Sequence, residues 1–283
     1  MNYKKIALFI CLLIVTILHT NCGYTSPDKY PSPPGYDLNH PVKIELDHEL
    51  NEISGIFYNA SDSGIFAISD ANGLIYKIFP NRKALVQKRK FGKNNDYEDL
   101  QLVDSSFYIL SSKGNIVKVG LNDAGTDSVQ EFSLPDSGKN EFESLAYNKD
   151  SGQLIMLCKD CKQDNKSSVS YYTFNLSTQT YSPGAFKFNF QKIADKQKEK
   201  SLKLKASATA INPLTKELFI ISSVSKLLVI TGMQGKVKSY YSLDPKIYKQ
   251  PEGLAFTANG DLFISNESAH LGAANILVIH YNK

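Results

Sequence analysis

The sequence predicts an all-β fold: a β-propeller of five four-stranded blades closed by an N-terminal strand, with six blades as the alternative. Three observations predict it. First, five segments align: ISGIFYNASDSGIFAIS (53–69), YEDLQLVDSSFYILS (97–111), FESLAYNKDSGQLIMLC (142–158), ASATAINPLTKELFIIS (206–222) and PEGLAFTANGDLFIS (251–265). Second, their second positions, Ser54, Glu98, Glu143, Ser207 and Glu252, lie 44, 45, 64 and 45 residues apart, close to the length of a propeller repeat. Third, each segment is two apolar runs around a polar turn, and the runs alternate with period two. In the fifth segment Glu252, Leu254 and Phe256 face one way and Gly253 and Ala255 the other. Inner strands crowd around a propeller axis, which explains a face of small residues. A β-sandwich would not require a fixed repeat with recurring small positions.

Composition agrees. Hydrophobic residues make up 42 % and charged residues 21 %, with 16 Tyr, 15 Phe and no Trp, a balance that suits a packed β-rich body. The net charge of +4 is too weak to argue for nucleic acid.

Taken in chain order, residues 1–21 read as an export signal of the lipoprotein type. Lys4 and Lys5 precede Ile6–Leu18, a run too short for a comfortable membrane-spanning helix. Cys22 follows and is the expected lipidation site. His19 and Asn21 stand where the usual pattern has Leu and a small residue, so the alternatives are a retained anchor or cleavage nearby. Residues 22–41, rich in Pro, Ser, Tyr and Asp, read as a flexible tether, and 42–283 as the propeller domain. Val42–Leu46 is the expected closing strand. Third strands are expected at Leu74–Phe79, Asn115–Val119, Tyr171–Leu176, Leu227–Thr231 and Ile276–Tyr281. Fourth strands are expected at Lys83–Lys90, Ser128–Leu134, Ala185–Phe190 and Val237–Leu243. The last blade lacks its own fourth strand, which the N-terminal strand supplies; closure of this kind removes free sheet edges.

The segments EISGIFYN with GIFAISDANGLIYKI, DYEDLQLVDSSFYILSSKGNIVKV and QPEGLAFTANGDLFISNE resemble the SdiA-regulated family of bacterial envelope β-propellers. The resemblance runs from about residue 42 to 283. It implies a cell-envelope location and calcium in the propeller channel. The chain departs from an all-acidic ring at the fourth repeat, where Lys205 and Ser207 replace acids.

In a propeller the equivalent inner-strand positions form a ring. Glu98, Glu143 and Glu252 would converge there, with Ser54 and Ser207 completing it. Facing carboxylates raise one another's pKa, and oxygen ligands suit Ca²⁺, so these three glutamates are the expected metal ligands. The competing expectation is that they are solvated and bonded to backbone N–H groups. A second acidic set, Glu52, Asp96 and Glu141, with Asp70, Asp99 and Glu267, could line a ligand cleft. Cys158 and Cys161 read as a local disulfide or free thiols, ahead of a redox or metal site. His270 is the only histidine with a functional context, in the loop after Glu267. The Lys-rich stretch 187–205 reads as a solvated excursion.

No nucleophile elbow or Walker A loop is present. The reading is a monomeric, non-enzymatic envelope lipoprotein. It would be held to a membrane by its lipid and bind a protein, glycan or small ligand. The alternative is a metal-dependent hydrolase of phosphoesterase, nucleotidase or lactonase type, which rests on analogy of fold.

Overall fold

The computed structural model describes residues 30–80, 87–120, 128–136, 138–165, 167–191, 193, 204–268 and 272–283. The expected signal, Cys22, His270 and most of the Lys-rich stretch lie outside them. So do residues 83–86 of the expected fourth strand of blade 1.

Five four-stranded antiparallel sheets follow one another around an axis. β1 (Val42–Glu45) comes first in the chain. Blade 1 is β2 (Ile53–Asn59), β3 (Gly64–Ser69), β4 (Leu74–Ile78) and β5 (Gln87–Lys90). Blade 2 is β6 (Tyr97–Val103), β7 (Ser106–Ser111), β8 (Ile116–Gly120) and β9 (Ser128–Phe132). Blade 3 contains β10 (Phe142–Asn148), β11 (Gln153–Cys158), β12 (Ser168–Val169), β13 (Tyr171–Asn175), β14 (Thr180–Pro183) and β15 (Phe188–Asn189). Blade 4 is β16 (Ala208–Ile211), β17 (Leu218–Ser222), β18 (Leu227–Thr231) and β19 (Val237–Ser242). Blade 5 is β20 (Pro251–Phe256), β21 (Leu262–Asn266) and β22 (Asn275–Ile279), with β1 as its outer strand.

The inner strands touch in a closed cycle, β2 to β6 to β10 to β16 to β20 and back to β2. Close approach there depends on small residues. A Cβ on Gly55 would come 2.5 Å from the backbone of Asp99, and one on Gly253 would come 2.6 Å from the carbonyl of Ser54. Side chains also tie blade to blade. Ser207 Oγ donates to the Pro251 carbonyl at 2.8 Å, and Ser265 Oγ donates to the Ser54 carbonyl at 2.9 Å.

The core lies between blades, where one sheet packs on the next. Leu254, Ile264 and Leu277 of blade 5 pack on Phe219, Ile221 and Leu228 of blade 4. Middle strands are covered on both faces, so β17 and β18 are buried along their whole length and read as unbroken apolar runs. Outer strands such as β9 are mostly exposed and polar.

β1 pairs with β22 from Val42↔Val278 to Glu45↔Asn275, so the expected closure is present. Two expectations are corrected. The fourth strand of blade 3 is Thr180–Pro183, paired with β13, and not Ala185–Phe190. The latter run has Phe186, Phe188 and Phe190 at alternate positions, which imitates a strand. Phe188 and Asn189 pair instead with Ser168–Val169, and Phe186 and Phe188 pack on Tyr171.

The packed body also begins before residue 42. Tyr36 and Leu38 are buried. The Tyr36 hydroxyl donates to the Gly260 carbonyl, and the Leu38 carbonyl accepts from the Tyr248 hydroxyl at 2.8 Å. Residues 30–41 are therefore docked on blades 4 and 5, and their aromatic side chains supply the apolar area that a free tether lacks.

Candidate functional site

The site is the channel mouth where the inner strands begin. Strict alternation fails there. The pairing of β6 with β7 jumps from Tyr97↔Ser111 to Asp99↔Leu110, leaving Glu98 as the extra residue. Glu143 and Glu252 are the extra residues of β10 and β20 in the same way. A bulge re-aims the side chain it carries, so each ring glutamate is set by a bulge. In blade 4, β16 pairs with β17 without a register shift, and its ring residue is Ser207.

A second tier is fixed by the residue that follows each second strand. Asp70 N–H donates to the Glu52 carbonyl, Ser112 N–H to Asp96, Lys159 N–H to Glu141 and Glu267 N–H to Gln250. Charge is thereby distributed by blade. Blades 1 and 2 bring Glu52, Asp70, Asp96 and Glu98. Blade 3 brings Glu141, Glu143 and Lys159. Blade 4 brings Lys205 and Lys226. Blade 5 brings Glu252, Glu267 and Lys249.

Lys159 was not singled out by the sequence. Its ammonium pairs with Glu143 and, at 3.1 Å, with Glu141. It also exerts a favourable charge interaction on Glu98, Glu252 and Glu267. Lys159 lies inside the Cys158–Cys161 disulfide, whose Cα atoms are 5.7 Å apart. Blade 1 has Asp70 at the equivalent place, so the repeat carried the signal: one blade reverses the charge of this position.

Lys159 does not neutralise the acidic arc of blades 1, 2 and 5. Burial, Asp96, Asp70 and Glu252 push Glu98 up to about 8. Burial and the nearby Glu267 push Glu252 up to about 7. Burial, Asp70 and Glu52 push Glu267 up to about 7. Asp70 is raised by burial and by Glu52 and Asp96, and its Oδ1 is buried with no hydrogen-bond partner.

Glu98, Glu143 and Glu252 share the mouth, but their oxygens are not gathered into one cage. Among the described residues, one group of three potential ligands has its ligand atoms within 4.8 Å of one another, namely Cys158, Cys161 and Asp164. Its two sulfurs are bonded to each other. Asp99 does not line the mouth. It is 3 % exposed, and its carboxylate accepts Leu145 N–H of blade 3 at 2.7 Å and Leu100 N–H at 2.8 Å. The cavity at the far end of the channel is lined without a charged residue. Its volume is about 200 Å³, and it is lined by Phe57, Tyr58, Tyr147 and Phe256 together with Gln101 and Thr257.

A family model described as SdiA-regulated matches residues 34–271. The chain belongs to the SdiA-regulated family. The match includes part of the segment docked on blades 4 and 5, and it spans all five inner strands of this SdiA-regulated propeller. No curated protein matches the sequence. Among solved structures, glutaminyl cyclase from Myxococcus xanthus is similar, with a TM-score of 0.58 at 10 % identity, covering 86 % of this chain and 97 % of that one. A luciferin-regenerating enzyme has a TM-score of 0.51 at 12 % identity, covering 85 % and 95 %. A calcium-binding protein, regucalcin, from Agrobacterium tumefaciens has a TM-score of 0.50 at 12 % identity, covering 88 % and 95 %. At these identities the likeness is one of fold. Among the described residues no helix is long and apolar enough to cross a membrane.

Proposed function

We propose that this SdiA-regulated propeller is a monomeric binding module of the cell envelope, held to a membrane by a lipid on Cys22. Its channel mouth takes a cation, and Ca²⁺ is the ion that an all-carboxylate donor set suits. The observation that carries this reading is the arc of Asp70, Glu98, Glu252 and Glu267. All four are raised by burial and by neighbouring carboxylates, Asp70 by Glu52 and Asp96 and the three glutamates in part by one another. A hard cation would relieve that repulsion, and the orphaned Asp70 Oδ1 fits such a partner. Glu98 and Glu252 keep their assignment as ligands. Glu143, paired with Lys159, passes to second rank.

Calorimetric titration of metal-free protein with Ca²⁺ tests this. Saturable binding is expected, weakened roughly tenfold or more in Glu98→Gln, as loss of one charge-assisted contact implies. Lys159→Met should tighten it, because a competing positive charge is removed. Absence of binding, or binding indifferent to Glu98→Gln and Glu252→Gln, overturns the reading. Assays of phosphate-ester and lactone hydrolysis separate it from the hydrolase alternative. Turnover that needs Ca²⁺ and is lost in Glu98→Gln would replace binding with catalysis.

A further inference from the structure

The fourth repeat departs from the acidic pattern at two places, and both line one cavity. Where blades 2, 3 and 5 have a glutamate in a bulge, blade 4, like blade 1 with Ser54, has a serine, Ser207, buried and small. Its hydroxyl donates to the Pro251 carbonyl and accepts Ser223 N–H at 3.2 Å, so it is occupied in holding blades 4 and 5 together. The missing side chain leaves a cavity of about 330 Å³ over blade 4. Two positions earlier Lys205 stands where the first three repeats have an acid and the fifth has Gln250, and it lines the same cavity.

Four lysines line this space, Lys159, Lys205, Lys226 and Lys249, against two carboxylates, Glu143 and Glu252. Two of the lysines have acidic partners: Lys159 has Glu143 and Glu141, and Lys205 has Asp160 at 3.4 Å. The other two form no carboxylate ion pair among the described residues. Lys226 is held in place by two carbonyl groups, those of Ser223 at 2.7 Å and Lys249 at 2.6 Å. Carbonyls fix an ammonium without cancelling its charge. Lys226 also has a φ of 49°, in the left-handed region where the equivalent turn of blade 2 has Gly114.

We propose that this cavity is a subsite for an oxyanion, the carboxylate or phosphate group of a small ligand. Lys226 is the primary contact, with the third proton of its ammonium available to the ligand, and Lys249, whose ammonium rests beside Gly272, is the second, reached by rotation of its side chain. Lysine presents a point charge and not a planar fork, so the site selects for negative charge and size before geometry. The acidic arc adjoins this cavity and shares Glu252 with it, so the preferred ligand would carry an anionic end here and a cation, or a bound metal ion, beside it. The subsite rests on the binding-module reading only in taking this mouth as the ligand face.

The test is calorimetric titration of the protein, in chelator and without Ca²⁺, with inorganic phosphate and separately with succinate. Saturable binding of one or both is expected. The tighter of the two identifies the oxyanion. Affinity should fall roughly tenfold in Lys226→Met, the scale of one charge-assisted contact. Lys249→Met should weaken it as well, and this variant disturbs no contact that holds the turn. Lys236→Met, in the turn at the opposite face, should leave it unchanged. No saturable binding of either anion overturns the proposal, as does equal weakening in all three variants or in none. Because Ca²⁺ is absent, the anion subsite can fail while calcium binding stands, and the reverse.

Discussion

Asp99 is a buried carboxylate with two backbone N–H donors and no cation beside it. Burial raises its pKa well above the ordinary range, while the two hydrogen bonds oppose that rise. Alternation along β6 placed it beside the ring, where an acid invites a functional reading. What alternation could not show is that Gly55 of blade 1 leaves the space it fills. Its value is structural: it satisfies Leu145 N–H across the gap between blades 2 and 3. Asp99→Ala would leave that donor buried and unpaired, a loss of about 1–3 kcal/mol. Urea denaturation should show this as a lower midpoint with an unchanged slope. The ring glutamates were legible because they recur at one position of the repeat. Lys159 was not, since its partners Glu141 and Glu143 precede it across the whole β10–β11 hairpin and no local spacing announces the pair.

At the level of the element, the repeats made nearly every strand readable, and the failures have specific causes. A bulge adds one residue without changing the apolar pattern on either side, so period two passes smoothly through Glu98, Glu143 and Glu252. The outer strand of blade 3 was misplaced because TYSP ends in Pro and looks like a turn, whereas AFKFNF alternates well. Proline at the end of an edge strand is tolerated, because no ladder donor is needed there. The C-x-x-C turn is an element of its own. A ring this small constrains the unfolded chain little, and loop-closure entropy gives it about 2 kcal/mol. Cys158→Ala with Cys161→Ala should therefore lower stability by about that amount or less. Chemical denaturation with and without reductant should give the same difference for the native protein.

For the whole molecule the dominant electrostatic fact is that one mouth concentrates carboxylates. Glu98, Glu252 and Glu267 titrate near 8, 7 and 7 when folded, against about 4.5 for an unperturbed glutamate. Between those values the folded chain holds protons that the unfolded chain has released. Stability is then fully present below about 4.5 and is lost as pH rises through 7 to 8. Thermal melts in chelator should show a melting temperature that falls from pH 5 to pH 8. Glu98→Gln should shrink the fall, and saturating Ca²⁺ should offset it by binding the folded state alone. A fall of equal size in Glu98→Gln would assign it to other groups.

The pairing of β1 with β22 also sets a schedule for biosynthesis. Residues 42–45 emerge early but have no partner until Asn275–Ile279 has been made. Blades 1 to 4 can each form their own sheet as they appear, yet β2 has no neighbour on one flank until β20 arrives. For most of translation the ring is an open arc with exposed strand edges, a form prone to pairing with other chains. Tyr36 and Leu38 wait in the same way for Tyr248, Gly260 and Tyr281. Ring closure therefore cannot precede synthesis of the final strand.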